Sequence, residues 1–257
     1  MRQSVWAAII LAAAVGSCRD SSSEPPARCY AGAGLQRALD AAAAAYAAQT
    51  GRQVQVEYGG SGMIMSRARL DKQADLFIPG DAWYVDQLEQ DGLIESRTTI
   101  ARLTPVILVP KGNPRGIHSL QDLVLLKQSK NERFRLALGD ERACQVGRAS
   151  RQLFENAGLE VPQATMHAIT VNELAVWVVT GRAEAAIVWD AIAAGVADQA
   201  DAVPIPADQN VCSQVVVGLM KSSPHPQRAR EFVEFLTSPA GRQVLIKNGY
   251  VPEEARP

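Results

Sequence analysis

A short run of glycines around a serine, residues 58–62 (Tyr-Gly-Gly-Ser-Gly), has the composition of an anion-binding turn. The residues before it, 54–58, alternate β-branched and polar side chains, which predicts a strand. Residues 63–70 are suited to a helix. Where a strand turns into a helix, free backbone N–H groups and about half a positive charge lie at the first helical residues. The turn therefore predicts a site for a small anion, to which the Ser61 hydroxyl adds a donor.

Other residue types that do chemistry in enzymes are present without a catalytic arrangement. Asp75 and Asp81 resemble a carboxylate pair, but we interpret Asp81 as a helix cap and Asp75 as the end of an exposed turn. The histidines, at positions 118, 167 and 225, lie in loops without metal-ligand spacing to the cysteines. No nucleophile–base set, phosphate loop or dinucleotide motif has the required strand and helix context. The sequence predicts a protein that is not an enzyme and has no cofactor or metal ion.

The overall charge balance limits the kind of partner. The chain has 257 residues, of which 47% are hydrophobic and 21% charged, and its net charge is −1. Nucleic-acid binding needs a basic face, so this class of partner is excluded. A protein that is weakly acidic overall can hold an anion only through donors aimed at it locally.

The N-terminus has the pattern of an export signal. Arg2 is followed by an apolar stretch, residues 5–15, that is too short to span a membrane comfortably. It ends at Cys18, in a context that resembles a bacterial lipoprotein signal, so residues 1–17 are interpreted as a signal peptide and Cys18 as the lipidation site. A plain signal peptide cleaved nearby is the alternative. Residues 18–27 are rich in serine and proline and predict a flexible tether.

The remaining cysteines are three, so they cannot all pair within one chain. Cys29 is expected to be a small core residue at the start of the first strand. An exported protein meets an oxidising compartment in which disulfides form. Cys144 and Cys212 both lie near turns in the second half, and we predict that they form a disulfide.

Strands alternate with helices along the chain, which predicts an α/β fold with parallel sheets. In such sheets ligands bind beyond the carboxyl ends of the strands. The turns at Gly34 and Ser61 both follow strands and precede helices, so both are expected on that side. The same strand–helix pattern is laid out a second time after residue 117.

Several segments together resemble the molybdate-binding and tungstate-binding family of periplasmic solute-binding proteins across nearly all of residues 28–252. The order and spacing of the segments carry the resemblance, and each segment alone is unspecific. They are residues 30–35 (Tyr-Ala-Gly-Ala-Gly-Leu), 58–62, 74–78 with Asp81, 106–110, 138–140, 186–189 and 248–252 (Asn-Gly-Tyr-Val-Pro).

The resemblance implies a two-lobed periplasmic-binding-protein-like fold of type II, with two crossover strands as the hinge. Residues 28–105 with 212–252 would form lobe 1, and residues 106–211 would form lobe 2. The apolar strands at 103–110 and 214–220 would be the crossovers. Hinge closure over a ligand is the motion such proteins use.

The resemblance also implies a set of neutral donors to a dianion. Two serine positions of the family fall on Gly34 and Ser61, two backbone donors at helix starts fall on Val146 and Val171, and a tyrosine position falls on Trp189. Gly34 offers no hydroxyl, and the Trp189 indole is a donor of different reach. As a hypothesis, Arg148 replaces the lost donors; Cys144 and Gln145 lie in the same turn.

These expectations describe the extracytoplasmic binding component of an ABC importer. It would be a monomer, lipid-anchored to a bacterial membrane, capturing a tetrahedral oxyanion, molybdate or tungstate, and passing it to a membrane permease. The alternatives are a binding protein for sulfate, phosphate or a small carboxylate, a sensor lipoprotein, or a small-molecule enzyme on the same fold.

Overall fold

The structure, a computed structural model, describes residues 25–129 and 133–253. Within these ranges the strands are β1 (Ala27–Gly32), β2 (Val54–Gly59), β3 (Leu76–Ile78), β4 (Ile94–Leu103), β5 (Pro105–Pro110), β6 (Leu136–Gly139), β7 (Met166–Ala168), β8 (Ala185–Trp189), β9 (Ala200–Pro204) and β10 (Ser213–Met220). The helices are α1 (Gln36–Thr50), α2 (Ser61–Leu70), α3 (Ala82–Gln90), α4 (Leu120–Gln128), α5 (Gln145–Asn156), α6 (Val171–Val179), α7 (Asp190–Ala194), α8 (Pro226–Thr237) and α9 (Pro239–Lys247). A 3-10 turn, Ala33–Leu35, precedes α1.

The strands form two mixed sheets of five strands each, as expected for an α/β fold. The first sheet has the order β2-β1-β3-β10-β4, with β1 parallel to β2 and β3, and β10 antiparallel to β3 and β4. The second sheet has the order β7-β6-β8-β5-β9, with β6 parallel to β7 and β8. Strand β5 runs antiparallel to β8 and β9. The two sheets repeat one plan, a parallel core with antiparallel strands at one side.

The passage between the sheets differs from the predicted crossover strands. The apolar run at 103–110 was expected to be one strand, but it divides at Thr104 into the end of β4 and the whole of β5. The return connection is the segment 205–212, which is not a strand. Strand β10 therefore does not cross over, because it pairs with β3 and β4 inside the first sheet over its whole length.

Local capping signals fix several helix ends. The backbone N–H of Trp83 donates to Asp81 Oδ1 at 2.9 Å, so Asp81 caps α3 as predicted. Thr170 and Glu173 form a capping box at the start of α6. Helix α1 ends at Gly51, whose φ of 73° is the left-handed conformation that glycine adopts without steric cost.

The core is made by the inner faces of both sheets and the helices that cover them. Cys29 is buried in it, in agreement with its predicted role. Asp75 is also fully buried, which corrects the expected exposed turn. Its carboxylate accepts hydrogen bonds from the backbone N–H groups of Arg28 and His225 and from the Ser223 hydroxyl. A buried charge is tolerated because these donors replace water.

The predicted signal peptide 1–17, Cys18 and residues 18–24 of the predicted tether lie outside the described residues. At Ala27 the chain is already in β1. Across the described ranges, no helix combines the length and the apolar character needed to cross a membrane.

Candidate functional site

A small cavity lies where the carboxyl ends of strands from both sheets meet. Its volume is about 30 Å³, which leaves room only for a small ligand. The lining residues come from both sheets and are Gly32, Ala33, Gly34, Leu35, Gly59, Gly60, Ser61, Gly80, Leu103, Cys144, Gln145, Val146, Ile169, Thr170, Val171 and Trp189.

The first residues of several helices converge on this cavity. The lining includes the starts of α2 (Gly60 and Ser61), α5 (Cys144 to Val146) and α6 (Thr170 and Val171), and the 3-10 turn before α1. Helix starts carry unpaired N–H groups and partial positive charge. None of the lining side chains in the described part of the chain is charged. The dipoles of several helices and the neutral N–H and O–H donors all point to one place, with no cationic side chain among the described lining residues. This arrangement suits an anion that is held without a salt bridge.

Ser61 is placed to donate its hydroxyl proton. It is the first residue of α2 and is buried. Its Oγ accepts a hydrogen bond from the backbone N–H of Gly80 at 3.2 Å, across the first sheet from β2 to the end of β3. Among the described hydrogen bonds Ser61 Oγ acts only as an acceptor, so its own proton is available to an acceptor in the cavity.

The glycines of this turn permit a close approach between the sheets. A Cβ on Gly60 would lie 2.6 Å from the Ile169 carbonyl oxygen and 2.7 Å from that of Ala143, both on the second-sheet side. Any other residue at this position would hold the sheets apart. On the other side of the cavity, Asn172 Nδ2 donates to the Ala33 carbonyl at 2.8 Å. The rims of the two sheets are therefore in contact around the cavity.

Gly34 is held by the C-terminal segment. The Tyr250 hydroxyl donates to the Gly34 carbonyl at 2.5 Å. Burial raises the pKa of Tyr250, so this hydroxyl stays protonated and remains a donor. A Cβ at Gly34 would lie 2.8 Å from Val171 Cγ1, which is too close for real contacts. The position that lacks the serine hydroxyl therefore faces a bulky side chain, that of Val171 on α6.

Val146 lies in the first turn of α5, next to a buried thiol. Cys144 precedes the helix, and burial raises the pKa of its thiol to about 12, although the N–H groups of Val146 and Gly147 lower it. The thiol is thus neutral at physiological pH and does not repel an anion. Val171 and Trp189 also line the cavity, and Trp189 is buried at the end of β8.

Arg148 does not line the cavity, which corrects the hypothesis that it replaces a lost hydroxyl donor. Its guanidinium carbon lies 3.7 Å from the centre of the Trp83 ring, on the first-sheet side. Arg148 faces a neighbouring outer groove of about 510 Å³ between α5 and the segment 211–213. The Arg148 cation stacks on the aromatic face of Trp83. This contact joins α5, which packs on the second sheet, to α3, which packs on the first.

The predicted disulfide between Cys144 and Cys212 is not formed. Cys144 is buried beside the cavity, whereas Cys212 is exposed on the connection between the sheets. The Cys212 sulfur instead contacts the Arg102 guanidinium. Both cysteines do lie near turns, as predicted. Cys144 lies in the turn before α5 and is buried, whereas Cys212 directly precedes β10 and is exposed.

Sequence reasoning missed Gly80, Gln145 and Thr170 as lining residues. Gly80 follows a three-residue strand, and the signal for it was the strand-to-turn pattern ending in Pro79-Gly80. Thr170 carried a visible signal, because a threonine three residues before a glutamate marks a helix start. Its Oγ1 accepts from the Glu173 N–H at 3.4 Å, so its proton is also available. The sequence places Gln145 in the turn before α5 but assigns it no role. In the described ranges no group of three or more His, Cys, Asp or Glu residues could hold a metal ion.

Comparisons with known sequences agree with these features. The family described as bacterial extracellular solute-binding protein matches residues 27–251. A Haemophilus influenzae protein described as a binding protein is 31% identical over 226 residues, covering 87% of this chain and 89% of that protein. A molybdate-binding protein of Mycobacterium tuberculosis is 26% identical over 223 residues, covering 86% of this chain and 82% of the relative.

Solved structures confirm the fold prediction. The periplasmic molybdate-binding protein of Azotobacter vinelandii superimposes with a TM-score of 0.72 at 20% identity, covering 88% of this chain and 98% of that one. A sulfate-binding protein of M. tuberculosis gives a TM-score of 0.75 at 15% identity, covering 90% and 88%. At these identities the likeness shows the type II periplasmic-binding fold alone. The resemblance inferred from the sequence is confirmed by the relatives and the family match, and the family consists of solute-binding proteins rather than enzymes. The chain belongs to the family of bacterial extracellular solute-binding proteins.

Proposed function

We propose that this solute-binding protein captures a tetrahedral oxyanion, molybdate or tungstate first, for an ABC importer. The observation that carries the proposal is the uncharged cavity at which helix starts from both sheets converge. A dianion has only acceptor atoms, and this lining offers backbone N–H groups and the hydroxyl protons of Ser61 and Thr170. The molybdate-binding relatives support the choice of ligand.

Two lobes closing over the anion would complete the function. We propose residues 28–105 with 212–252 as one lobe and 106–211 as the other, which move about Thr104 and the segment 205–212. The closed lobes would then be recognised by a membrane permease. No bond of the ligand is made or broken, so selectivity comes from cavity size and donor number.

The location follows the family, whose members are extracellular. Lipidation of Cys18, a monomeric state and anchoring to the membrane by lipid alone are further parts of the proposal. The lipidation and the lipid anchoring rest on the sequence pattern of residues 1–27. Metabolic labelling with a fatty acid, lost in a Cys18→Ala variant, would test the anchor.

Sulfate is the second candidate ligand. The small volume of the cavity, about 30 Å³, favours a test of this smaller oxyanion. Phosphate and small carboxylates belong in the same comparison.

A thermal-shift panel tests the ligand, with molybdate, tungstate, sulfate, phosphate and citrate added to the purified protein. A ligand at 100 times its dissociation constant stabilises the folded state by about 2.7 kcal/mol, a rise in melting temperature of roughly 5–10 °C. We expect the rise with molybdate and tungstate. If no oxyanion changes the melting temperature, the proposed ligand class is wrong.

Ser61→Ala extends the same test to the site. Loss of one hydroxyl donor to a charged ligand costs about 1.5–3 kcal/mol, or roughly 10- to 150-fold in affinity. Ser66→Ala is the matched control, since Ser66 lies on the same helix, is exposed, and bonds only to the Gly62 carbonyl at 3.0 Å among its described contacts. Equal affinities for the two variants, measured by calorimetry, would contradict the role of Ser61.

A further inference from the structure

Gln145 occupies a distinctive position in the wall of the cavity. It is the first residue of α5. Among the described lining residues it alone belongs both to the inner cavity and to the outer groove of about 510 Å³. Gln145 therefore lies between the proposed anion site and the solvent-facing groove.

The protein itself barely engages the Gln145 carboxamide. Gln145 Oε1 is buried and has no hydrogen-bond partner among the described residues. Nε2 lies 3.5 Å from Ser213 Oγ, which is at the limit of a hydrogen bond. The Ser213 hydroxyl donates its own proton elsewhere, since it contacts Asp81 Oδ2 and lies 3.1 Å from the Gly80 carbonyl, so its oxygen can only accept from Nε2 and offers no proton to Oε1. A buried polar group is normally satisfied, so an amide in this state points to a partner other than the protein.

Two positions that hold hydroxyl donors in the resembled family carry no hydroxyl here. Gly34 carries no hydroxyl, and Trp189 stands at the position of a tyrosine in the resembled family. A carboxamide supplies two N–H donors without a charge. It therefore fits an uncharged lining better than the guanidinium of Arg148, which is stacked on Trp83.

We propose that Gln145 is a ligand-contacting and specificity-determining residue whose Nε2 donates to the bound oxyanion. The assignment of the amide nitrogen and oxygen follows the hydrogen-bond network and reverses by a rotation of the terminal group. Turning the amide over places Nε2 where the unpartnered Oε1 now lies and gives up the 3.5 Å contact with Ser213 Oγ. Oε1 then faces the Ser213 hydroxyl, which can donate to it by turning away from Asp81 and Gly80. This inference rests on the proposed oxyanion function and names the side chain that replaces the missing hydroxyls.

Two substitutions at position 145 distinguish a hydrogen-bond donor to the anion from a side chain that only fills the wall of the cavity. Gln145→Leu keeps the side-chain bulk in the wall but removes both donors, and we expect about a 10- to 100-fold loss of molybdate affinity by calorimetry. Gln145→Glu is isosteric but places an acceptor-only carboxylate at the anion, so the loss at pH 8 should be larger. Lowering the pH toward 5 protonates this carboxylate in part, and affinity should recover. A purely structural role would not produce that pH dependence.

Gln152 provides the control on the same helix. Of the two cavities, Gln152 lines the outer groove and not the inner cavity, and its side chain is exposed. Gln152→Leu and Gln152→Glu should bind within twofold of the unmodified protein at both pH values. Melting temperatures without ligand establish that each variant is folded.

The outcomes distinguish the two proposals. If the unmodified protein binds no oxyanion, the proposed function is wrong and Gln145 has no such ligand. If it binds and Gln145→Leu binds equally well, the function stands and the inference about Gln145 is overturned. If Gln145→Glu binds more tightly than the unmodified protein, the side-chain oxygen accepts from a protonated ligand and Nε2 does not donate to it. That outcome also overturns the inference about Gln145.

Discussion

Single residues decide how closely the two sheets approach around the cavity. Gly34 and Val171 face each other across it, with 2.8 Å between the place of a Cβ on Gly34 and Val171 Cγ1. Valine is stiff at χ1 and cannot move aside easily. The serine that the family resemblance implies at position 34 is therefore incompatible with this particular valine.

Gly34→Ser should weaken oxyanion binding even though it adds a hydroxyl. Overpacking costs about 1–3 kcal/mol, which corresponds to roughly 5- to 150-fold in affinity if the cost falls on the closed state. The double variant Gly34→Ser/Val171→Ala should recover affinity, since the valine methyl groups are removed. Calorimetric titration of both variants checks this. Tighter binding by the single variant would mean that the added donor outweighs the crowding.

Helices α3 and α5 make a contact that joins the two sheets outside the cavity. Trp83 of α3 lies under the Arg148 guanidinium of α5, and the Tyr84 ring is 5.9 Å from the same cation. A cation on an aromatic face stabilises by about 0.5–2 kcal/mol, depending on its exposure. Because the two residues lie on helices that pack on different sheets, this energy favours the arrangement in which the two sheets are in contact.

We expect ligand binding to weaken by about 2- to 30-fold in Trp83→Leu and likewise in Arg148→Met. The double variant should bind no more weakly than the weaker of the two single variants, because both remove the same contact. Trp177→Leu is the control, because Trp177 stacks with Arg182 at 5.4 Å within the second-sheet side. Dissociation rates from stopped-flow measurements provide the readout. If Arg148→Met weakens binding and Trp83→Leu does not, Arg148 contacts the anion directly.

A half-buried carboxylate at the start of α7, Asp190, lies beside the connection between the sheets and links fold stability to pH. The Asp190 N–H donates to the Thr104 carbonyl at 2.9 Å, at the break between β4 and β5. Burial raises the pKa of the Asp190 carboxyl, although the N–H groups of Thr104 and Ala191 oppose it. A raised pKa in the folded state means that this group contributes most to stability below its unfolded pKa. The contribution is lost as the pH rises through the folded value.

Asp190→Asn should therefore raise the melting temperature at pH 7, where the native carboxylate is ionised at a cost. The gain should disappear near pH 3, below the ordinary aspartate pKa of about 3.9. Differential scanning calorimetry at both pH values checks the prediction, with the exposed Asp208→Asn as control. A lower melting temperature at pH 7 would show that the carboxylate hydrogen bonds outweigh its desolvation.

Much of the fold and part of the site follow from local sequence patterns. Helix α3 and its Asp81 cap, the strand before Ser61 and the glycine at the end of α1 depend on residues within a few positions of one another. The approximate positions of Gly34, Ser61, Val146, Val171 and Trp189 came from a family resemblance, and all five line one cavity. Which donor each offers to a ligand stays a prediction.

The sequence by itself determined the alternation of strands and helices and the turns with free N–H groups, because periodicity and capping act over a few residues. Only the tertiary structure decided that Arg148 stacks on Trp83, that Asp75 is buried and that Cys144 and Cys212 do not pair. It also split the apolar run at Thr104 and placed Gln145 between two cavities. These features depend on contacts between residues dozens of positions apart, and their geometry is set by how the two sheets meet, which no local pattern encodes.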